Sequence, residues 1–122
     1  MILADTSIWI DHLRTSNPQM QSFLLAAQIA THPFIVAEIA LGSLKNRTGR
    51  LAELDSLQQV TIAQTAEVRH FIETRGLYSK GLSLVDAHLI LSCLLTPGTQ
   101  LWTRGRNMEA VARSLGVAVN VP

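Results

Sequence analysis

The sequence has one cysteine, few charged residues and no apolar run long enough to cross a membrane. Cys93 stands alone, so an intramolecular disulfide and a zinc site built from several cysteines are both excluded. The longest apolar segment, residues 84–95, contains Asp86 and His88 and is shorter than the about 20 residues that a spanning helix needs. No basic leader precedes the first apolar residues, which argues against a secretory signal. These absences predict a protein of the reducing cytoplasm.

Charge of either sign is scarce as well. Charged residues make up 16% of the chain, against roughly 25% in an average soluble domain. The formal net charge is +1, which is too small for a general attraction to nucleic acid. Any contact with phosphates therefore has to come from local clusters of basic residues. Hydrophobic residues reach 48%, which indicates that some apolar surface meets a partner.

Strand-like and helical patterns alternate along the 122 residues, a length that suits one domain, residues 1–122. Strands are predicted at 1–4, 29–32, 60–63, 100–103 and 117–121. Helices are predicted at 6–13, 17–27, 33–41, 48–57, 64–75, 83–95 and 107–115. This alternation predicts an α/β fold with a mostly parallel sheet of four to five strands flanked by helices, because parallel neighbours need crossover connections. Ligands bind beyond the carboxyl ends of such strands, where Asp5 and Thr103 lie.

Three of the nine acidic residues stand in apolar sequence. Asp5 follows MILA, Glu38 lies between FIVA and IALG, and Asp86 lies between SLV and AHLILSCLL. A carboxylate in such surroundings is tolerated only if it is hydrogen-bonded, caps a helix or is neutralised by a cation. Asp5 and Asp86 could each serve a helix N-terminus, which is worth about 0.3–1 kcal/mol. Glu38 stands in mid-helix, in the middle of the predicted apolar face, and has no capping role, although a structural ion pair would satisfy it.

The three carboxylates suggest a common site with a metal ion. Two like charges about 4 Å apart repel by roughly 4 kcal/mol at an effective dielectric near 20, and a divalent cation removes that conflict. Oxygen ligands without cysteine or paired histidines suit Mg²⁺, with Mn²⁺ as a substitute. Such an ion activates water and neutralises charge on a phosphoryl oxygen. Hydrolysis of a phosphodiester is therefore the favoured reaction.

Four segments, ADTSIWI, VAEIALG, SLVDAHLI and LWTRGRN, occur in this order across almost the whole chain. Together they resemble the PIN-domain family, and specifically the VapC-type toxin nucleases of bacterial toxin–antitoxin pairs. The resemblance implies a Mg²⁺-dependent endoribonuclease in which Asp5, Glu38 and Asp86 bind the metal, with support from the hydroxyls of Ser7 and Thr103. It also implies an RNA substrate, a small VapB-type antitoxin protein that covers the site, and a homodimer.

The turn after the predicted fourth strand departs from the family pattern. The family often has an aspartate there, and this chain has Gly105. A missing acid lowers the negative charge of the site, so one metal ion instead of two, or reduced activity, becomes the expectation. Asn107 or Glu109 could substitute for it. The alternative function is a catalytically weakened PIN-fold module that binds RNA or protein.

Basic residues form two clusters along the sequence. Lys45, Arg47 and Arg50 follow the helix of the mid-chain glutamate, and Arg104 and Arg106 flank the turn after the fourth strand. A run of charge is commonly no more than solvated surface. Because the second cluster lies beside a strand end that should hold the metal, we predict phosphate contacts there. The predicted RNA-binding residues are thus Lys45, Arg47, Arg104 and Arg106.

Overall fold

The computed structural model of the chain describes residues 1–121, in which strands and helices alternate. The strands are β1 Ile2–Ala4, β2 Ile29–Thr31, β3 Gln58–Gln59 and β4 Gln100–Trp102. The helices are α1 Thr6–Arg14, α2 Pro18–Leu25, α3 Pro33–Ala40, α4 Arg47–Asp55, α5 Thr65–Arg75, α6 Leu84–Leu95 and α7 Arg106–Ser114. The predicted α/β fold is confirmed.

The four strands form one sheet in the order β3-β2-β1-β4, and all neighbours are parallel. β1 lies in the middle, where Ile2 pairs with Ile29 on one side and with Gln100 on the other. In a parallel sheet all carboxyl ends meet at one edge, which is where a ligand site is expected. The chain therefore brings Asp5 and Thr103, which follow β1 and β4, to the same edge.

Two of the predicted strands need correction. β3 comprises the exposed pair Gln58–Gln59 and not residues 60–63. Val60 still donates its N–H to the carbonyl of Thr31, at 3.0 Å, and is buried, whereas Ile62 is 49% exposed. The last strand is reduced to a single parallel bridge between Leu101 and Ala118. The last segment still bonds to β4, because Leu101 donates to the carbonyl of Val117 and accepts the N–H of Val119. The apolar pattern thus identified segments next to the sheet but not the residues of the strands.

α6 is the central helix of the fold. Seven consecutive residues, from Ala87 to Cys93, are buried, and the helix packs against α5, α7 and β4. A capping box is present at its start, where Ser83 and Asp86 bond to each other's backbone N–H groups. Burial raises the pKa of the Cys93 thiol to about 12, so the thiol stays protonated at neutral pH. No helix in residues 1–121 has the length and apolar character to cross a membrane.

Two histidine side chains are buried next to each other at the end of β2. His32 is inaccessible to solvent, and its ring centroid lies 6.4 Å from that of His88 on α6. Nδ1 of His32 accepts the N–H of Phe34 at 3.0 Å, so its proton is on Nε2, which has no hydrogen-bond partner in the described structure. Burial and the neighbouring His88 lower the pKa of His32 to about 4. His32 therefore remains neutral above about pH 4, and burial also lowers the pKa of His88.

This depressed pKa predicts that acid destabilises the fold before its carboxylates titrate. The unfolded chain binds a proton at His32 near pH 6.5, whereas the folded chain does so only near pH 4. The free energy of unfolding should therefore be highest above pH 6.5 and should fall by about 2 kcal/mol between pH 7 and pH 5. Urea unfolding at several pH values measures this. His32→Asn keeps a capping acceptor and should flatten the slope, whereas His70→Asn on the exposed surface should leave it unchanged.

Candidate active site at the carboxyl edge of the sheet

Asp5 follows β1 directly, and only 8% of it is exposed to solvent. Its Oδ1 accepts the N–H of Ser7 at 3.0 Å, the N–H of Ile8 at 3.4 Å and the hydroxyl of Ser7. Its Oδ2 accepts the hydroxyl of Thr103 at 2.5 Å. The buried charge is thus compensated by the N-terminus of α1 and by two hydroxyl groups, which together fix the orientation of the carboxylate.

Thr103 and Ser7 join the end of β4 to the start of α1. The Thr103 hydroxyl donates to Asp5 and accepts the N–H of Gly105 at 3.0 Å. The Ser7 hydroxyl also donates to Asp5 and accepts the N–H of Arg104 at 3.1 Å. Both hydroxyls named by the resemblance therefore contact the first carboxylate. The turn after β4 is held against α1 by the same network.

Glu38 lies on α3, which packs against α1. Its Oε1 accepts the hydroxyl of Thr6 at 2.6 Å, and Thr6 is the residue after Asp5, so the second carboxylate reaches the same edge. The expectation that it lies on the apolar face of its helix was wrong. Ile35 and Ile39 fill that face, while Glu38 is exposed, because a nearly all-apolar helix carries more hydrophobic residues than its one packed side can cover.

Asp86 is half-buried in the first turn of α6. Its Oδ2 accepts the N–H of Ser83 at 3.0 Å, and the Ser83 hydroxyl accepts the N–H of Asp86 at the same distance. The capping role considered from the sequence is therefore present. It uses one carboxylate oxygen and leaves Oδ1 without a hydrogen bond among the described residues.

Two contacts place the start of α6 beside the strand ends. Gly81, in the loop before α6, lies against the side chain of Asn107 on α7, so closely that a Cβ there would come within 2.3 Å of its Nδ2. The ring of His88, in the second turn of α6, packs at 6.4 Å from His32 at the end of β2. α6 thus begins between the helix that follows β4 and the end of β2.

None of the three acids has a cationic partner in the described structure. The ion pairs there are Arg50 with Glu53, Arg104 with Asp11, and Arg113 with Glu109. Carboxylate and hydroxyl oxygens are hard donors, so the donor set suits Mg²⁺ in kind. Within residues 1–121, however, no three acidic, histidine or cysteine side chains form a group that could hold a metal ion. Glu38 and Asp86 would have to move toward Asp5 to complete one.

The predicted RNA-binding residues have different surroundings. Arg104 is about half exposed and its guanidinium is paired with Asp11. Arg47 donates to the carbonyls of Ala40 at 2.5 Å and Gly42 at 3.3 Å, so its side chain caps the end of α3. The remaining two, Lys45 and Arg106, are exposed and have no described hydrogen bond or ion pair. The observed contacts give Arg47 a structural role.

Two residues of this edge were missed by sequence reasoning. Thr6 holds Glu38, and Asp11 holds Arg104. A signal for Asp11 was present, because it stands four residues after Ser7 and so shares that residue's face of α1. The hydroxyl of Thr6 had no signal of its own beyond its place next to Asp5.

Comparison with known proteins identifies the family of this chain. The family model for the PIN domain matches residues 2–114. The chain belongs to the PIN-domain family. It is 39% identical over 119 residues to Ribonuclease VapC32 of Mycobacterium tuberculosis, in strains CDC 1551 / Oshkosh and H37Rv, and the match covers 98% of this chain and 96% of that protein. The resemblance to VapC-type PIN domains is therefore confirmed.

The departure from the PIN-domain pattern at Gly105 occurs where there is room for a side chain. Gly105 is the N-cap of α7, with φ −71° and no side chain to bond the helix. A Cβ there would meet the Thr103 hydroxyl at 3.4 Å and Met108 at 3.5 Å, which are ordinary contact distances. The backbone can therefore accept the aspartate that the resemblance led us to expect at this turn.

The Thr103 hydroxyl should stabilise the PIN domain as well as orient Asp5. Thr103→Val keeps the shape but leaves a buried carboxylate oxygen and the N–H of Gly105 without a partner, which should cost about 1–3 kcal/mol of unfolding free energy. Urea unfolding followed by circular dichroism measures the change. Thr65→Val, at an exposed threonine, is the matched control. Equal stability of the two variants would contradict a role for the hydroxyl.

Proposed function

We propose that this PIN domain is an endoribonuclease that hydrolyses RNA phosphodiester bonds with Mg²⁺, or Mn²⁺ as a substitute, and that it is the toxin of a VapBC-type pair. The near full-length similarity to a protein named as a VapC ribonuclease supports this function. The observation that carries it is Asp5, a buried carboxylate that is held by four donors at the carboxyl edge of the sheet and has no cationic partner in the described structure.

In this proposal Asp5, Glu38 and Asp86 hold the metal. The bound ion supplies activation of water and neutralisation of charge on the phosphoryl oxygen. Thr103 and Ser7 keep the carboxylate of Asp5 in one orientation. Hydrolysis by water leaves 5′-phosphate and 3′-hydroxyl ends, whereas attack by the ribose 2′-hydroxyl would leave a cyclic phosphate.

The supporting residues have defined tasks in this site. Thr6 ties Glu38 beside Asp5, so that an exposed acid is kept near a buried one. Arg104 presents a guanidinium next to the network, suited to a phosphate oxygen, and Asp11 holds it there. Asn107, exposed at the start of α7, lies against Gly81 in the loop before α6, and in this proposal its amide supports the metal site as a neighbour of the three acids.

The proposal extends to partners and place of action. A VapB-type antitoxin would bind this chain and block RNA, and the chain would act in the cytoplasm as a homodimer of one-domain subunits spanning residues 1–122. The large apolar side chains that stay exposed, including Leu25 at 90% and Leu41 at 89%, support such interfaces, because isolated subunits bury apolar surface by associating.

A second candidate is a catalytically weakened module that binds RNA or protein. Two observations favour it, namely Gly105 in the turn where the family often has an acid, and the absence of a three-ligand group within the described residues. This module would bind its partner without cleaving RNA in Mg²⁺.

The nuclease proposal predicts Mg²⁺-dependent cleavage of cellular RNA that is lost with chelator. Asp5→Asn should lower the rate by at least about 100-fold, and Glu38→Gln and Asp86→Asn should do likewise, because each removes a charged metal ligand. Mapping of the cleaved ends should show 5′-phosphates. Asp55→Asn, at an exposed acid without an ion pair, is the control and should cleave like the wild type.

Other outcomes would identify a different function. No cleavage by wild-type protein in Mg²⁺ or Mn²⁺ would favour the binding module. Cyclic phosphate ends, or cleavage that persists in chelator, would show that the carboxylates do not act through a metal.

The turn after β4 gives a further test of the metal. Gly105→Asp adds a carboxylate where a side chain fits, so Mg²⁺ should bind several-fold more tightly. Gly105→Asn has the same size and also caps α7, but adds no charge, so it should bind Mg²⁺ like the wild type. Isothermal titration calorimetry measures both. Unchanged affinity in Gly105→Asp would rule out a metal beside this turn.

A further inference from the structure

A groove runs along one side of the candidate site, between α1 and the segment that joins α3 to α4. We call it the lateral groove. It has a volume of about 700 Å³, and Glu38 forms part of its wall. Ile10, Leu13 and Leu44 give it an apolar lining, and Ile10 is 40% exposed. The volume lies within the roughly 300–1,000 Å³ of clefts that hold small ligands.

The charges of the lateral groove are mostly positive. Arg14, Lys45 and Arg50 line it together with the single acid Glu38. Arg14 and Lys45 are exposed and have no described hydrogen bond or ion pair. Arg50 pairs with Glu53 at 3.3 Å on the exposed surface, where such pairs contribute little. Cations without protein partners beside a nuclease site favour a polyanion as the occupant.

The position of Arg50 shows that positive charge faces α1 across the groove. Burial lowers the pKa of His12 on α1, and the nearby charge of Arg50 lowers it further. Because that guanidinium is on α4, the two walls of the groove approach each other here. A chain lying in the groove would therefore meet cations from both sides.

We propose that the lateral groove binds the single-stranded RNA segment next to the bond to be cleaved, with phosphates on Arg14 and Lys45 and bases against Ile10, Leu13 and Leu44. Because Glu38 is part of the groove wall, RNA leaving the candidate site on this side enters the groove. Apolar walls suit unstacked bases, which duplex RNA does not present. Without an aromatic side chain in the lining, this subsite should hold bases with little selectivity. The inference rests on the proposed ribonuclease function.

The test is the binding of a fluorescent single-stranded oligouridylate in chelator, so that cleavage does not interfere. Arg14→Ala with Lys45→Ala should remove two phosphate contacts and lower the slope of log affinity against log salt by about 1.4. The affinity advantage of the wild type should therefore shrink about sevenfold between about 50 and 200 mM salt. The control is Arg69→Ala with Arg113→Ala, which also removes two positive charges but at exposed positions outside the groove. Its slope of log affinity against log salt should change less.

A second pair of variants tests the apolar wall. Leu44→Glu places a negative charge in the groove and should weaken oligouridylate binding by at least tenfold. Leu41→Glu makes the same change three residues earlier, at a side chain that is 89% exposed and outside the groove, and should bind nearly as the wild type does. Circular dichroism confirms that each variant is folded. Lys45→Ala alone removes a side chain that has no described contacts, so the variant should stay folded. Its slope of log affinity against log salt therefore reports the lost phosphate contact and not a loss of structure.

The outcomes separate this inference from the ribonuclease proposal. An unchanged salt slope in the double variant, or equal effects of Leu44→Glu and Leu41→Glu, would overturn the RNA subsite even if Mg²⁺-dependent cleavage is found. A protein segment would then be the occupant of the groove that remains to be tested. Weakened binding confined to the groove variants, in a protein that does not cleave RNA, would support the subsite and refute only the catalytic function. If the groove variants weakened the binding of double-stranded RNA as much as that of single-stranded RNA, the assignment to single-stranded RNA would be overturned.

Discussion

The structure depends on keeping one carboxylate charged in a buried position. Asp5 ends the central strand, and the free energy cost of its burial is offset by the first N–H groups of α1 and by the hydroxyls of Ser7 and Thr103. Those donors come from two elements, α1 and the turn after β4, which must therefore lie next to each other. Parallel pairing of β1 with β4 provides that arrangement. Fold and candidate site thus share one hydrogen-bond network.

Around this fixed acid the other groups are held less firmly. Glu38 is exposed and tied by one hydroxyl, and Asp86 uses one oxygen to cap its own helix. No arginine or lysine in the described structure neutralises any of the three. Arg14 and Lys45, which have no described partner, lie instead in the lateral groove, whose wall includes Glu38. Acidic side chains at the strand ends with basic residues nearby are the charge distribution that the proposed function would use.

The fold was predicted well from the sequence where a run of apolar residues is also a strand of the sheet. MILA before Asp5, and QLW before Thr103, were recognised as strand ends and lie side by side. β3 was placed wrongly because it consists of two exposed glutamines, and an edge strand without an apolar side chain has no pattern to detect. Glu38 was expected on the apolar face of its helix because sequence shows which residues are apolar but not which side of the helix is covered. The structural role of Arg47 was not predicted for a similar reason. Sequence does not show that its long side chain reaches back to carbonyls five and seven residues earlier.

The bond between Thr103 and Asp5 joins residues 98 positions apart. During synthesis β1 lacks its second neighbour in the sheet until β4 has been made, nearly a hundred residues later. Any shortened translation product that stops before β4 lacks both that neighbour and the hydroxyl that orients the first acid. A ribosome making this chain therefore supplies the last donor to Asp5 only near the end of synthesis, so the candidate site can assemble only in a nearly complete chain.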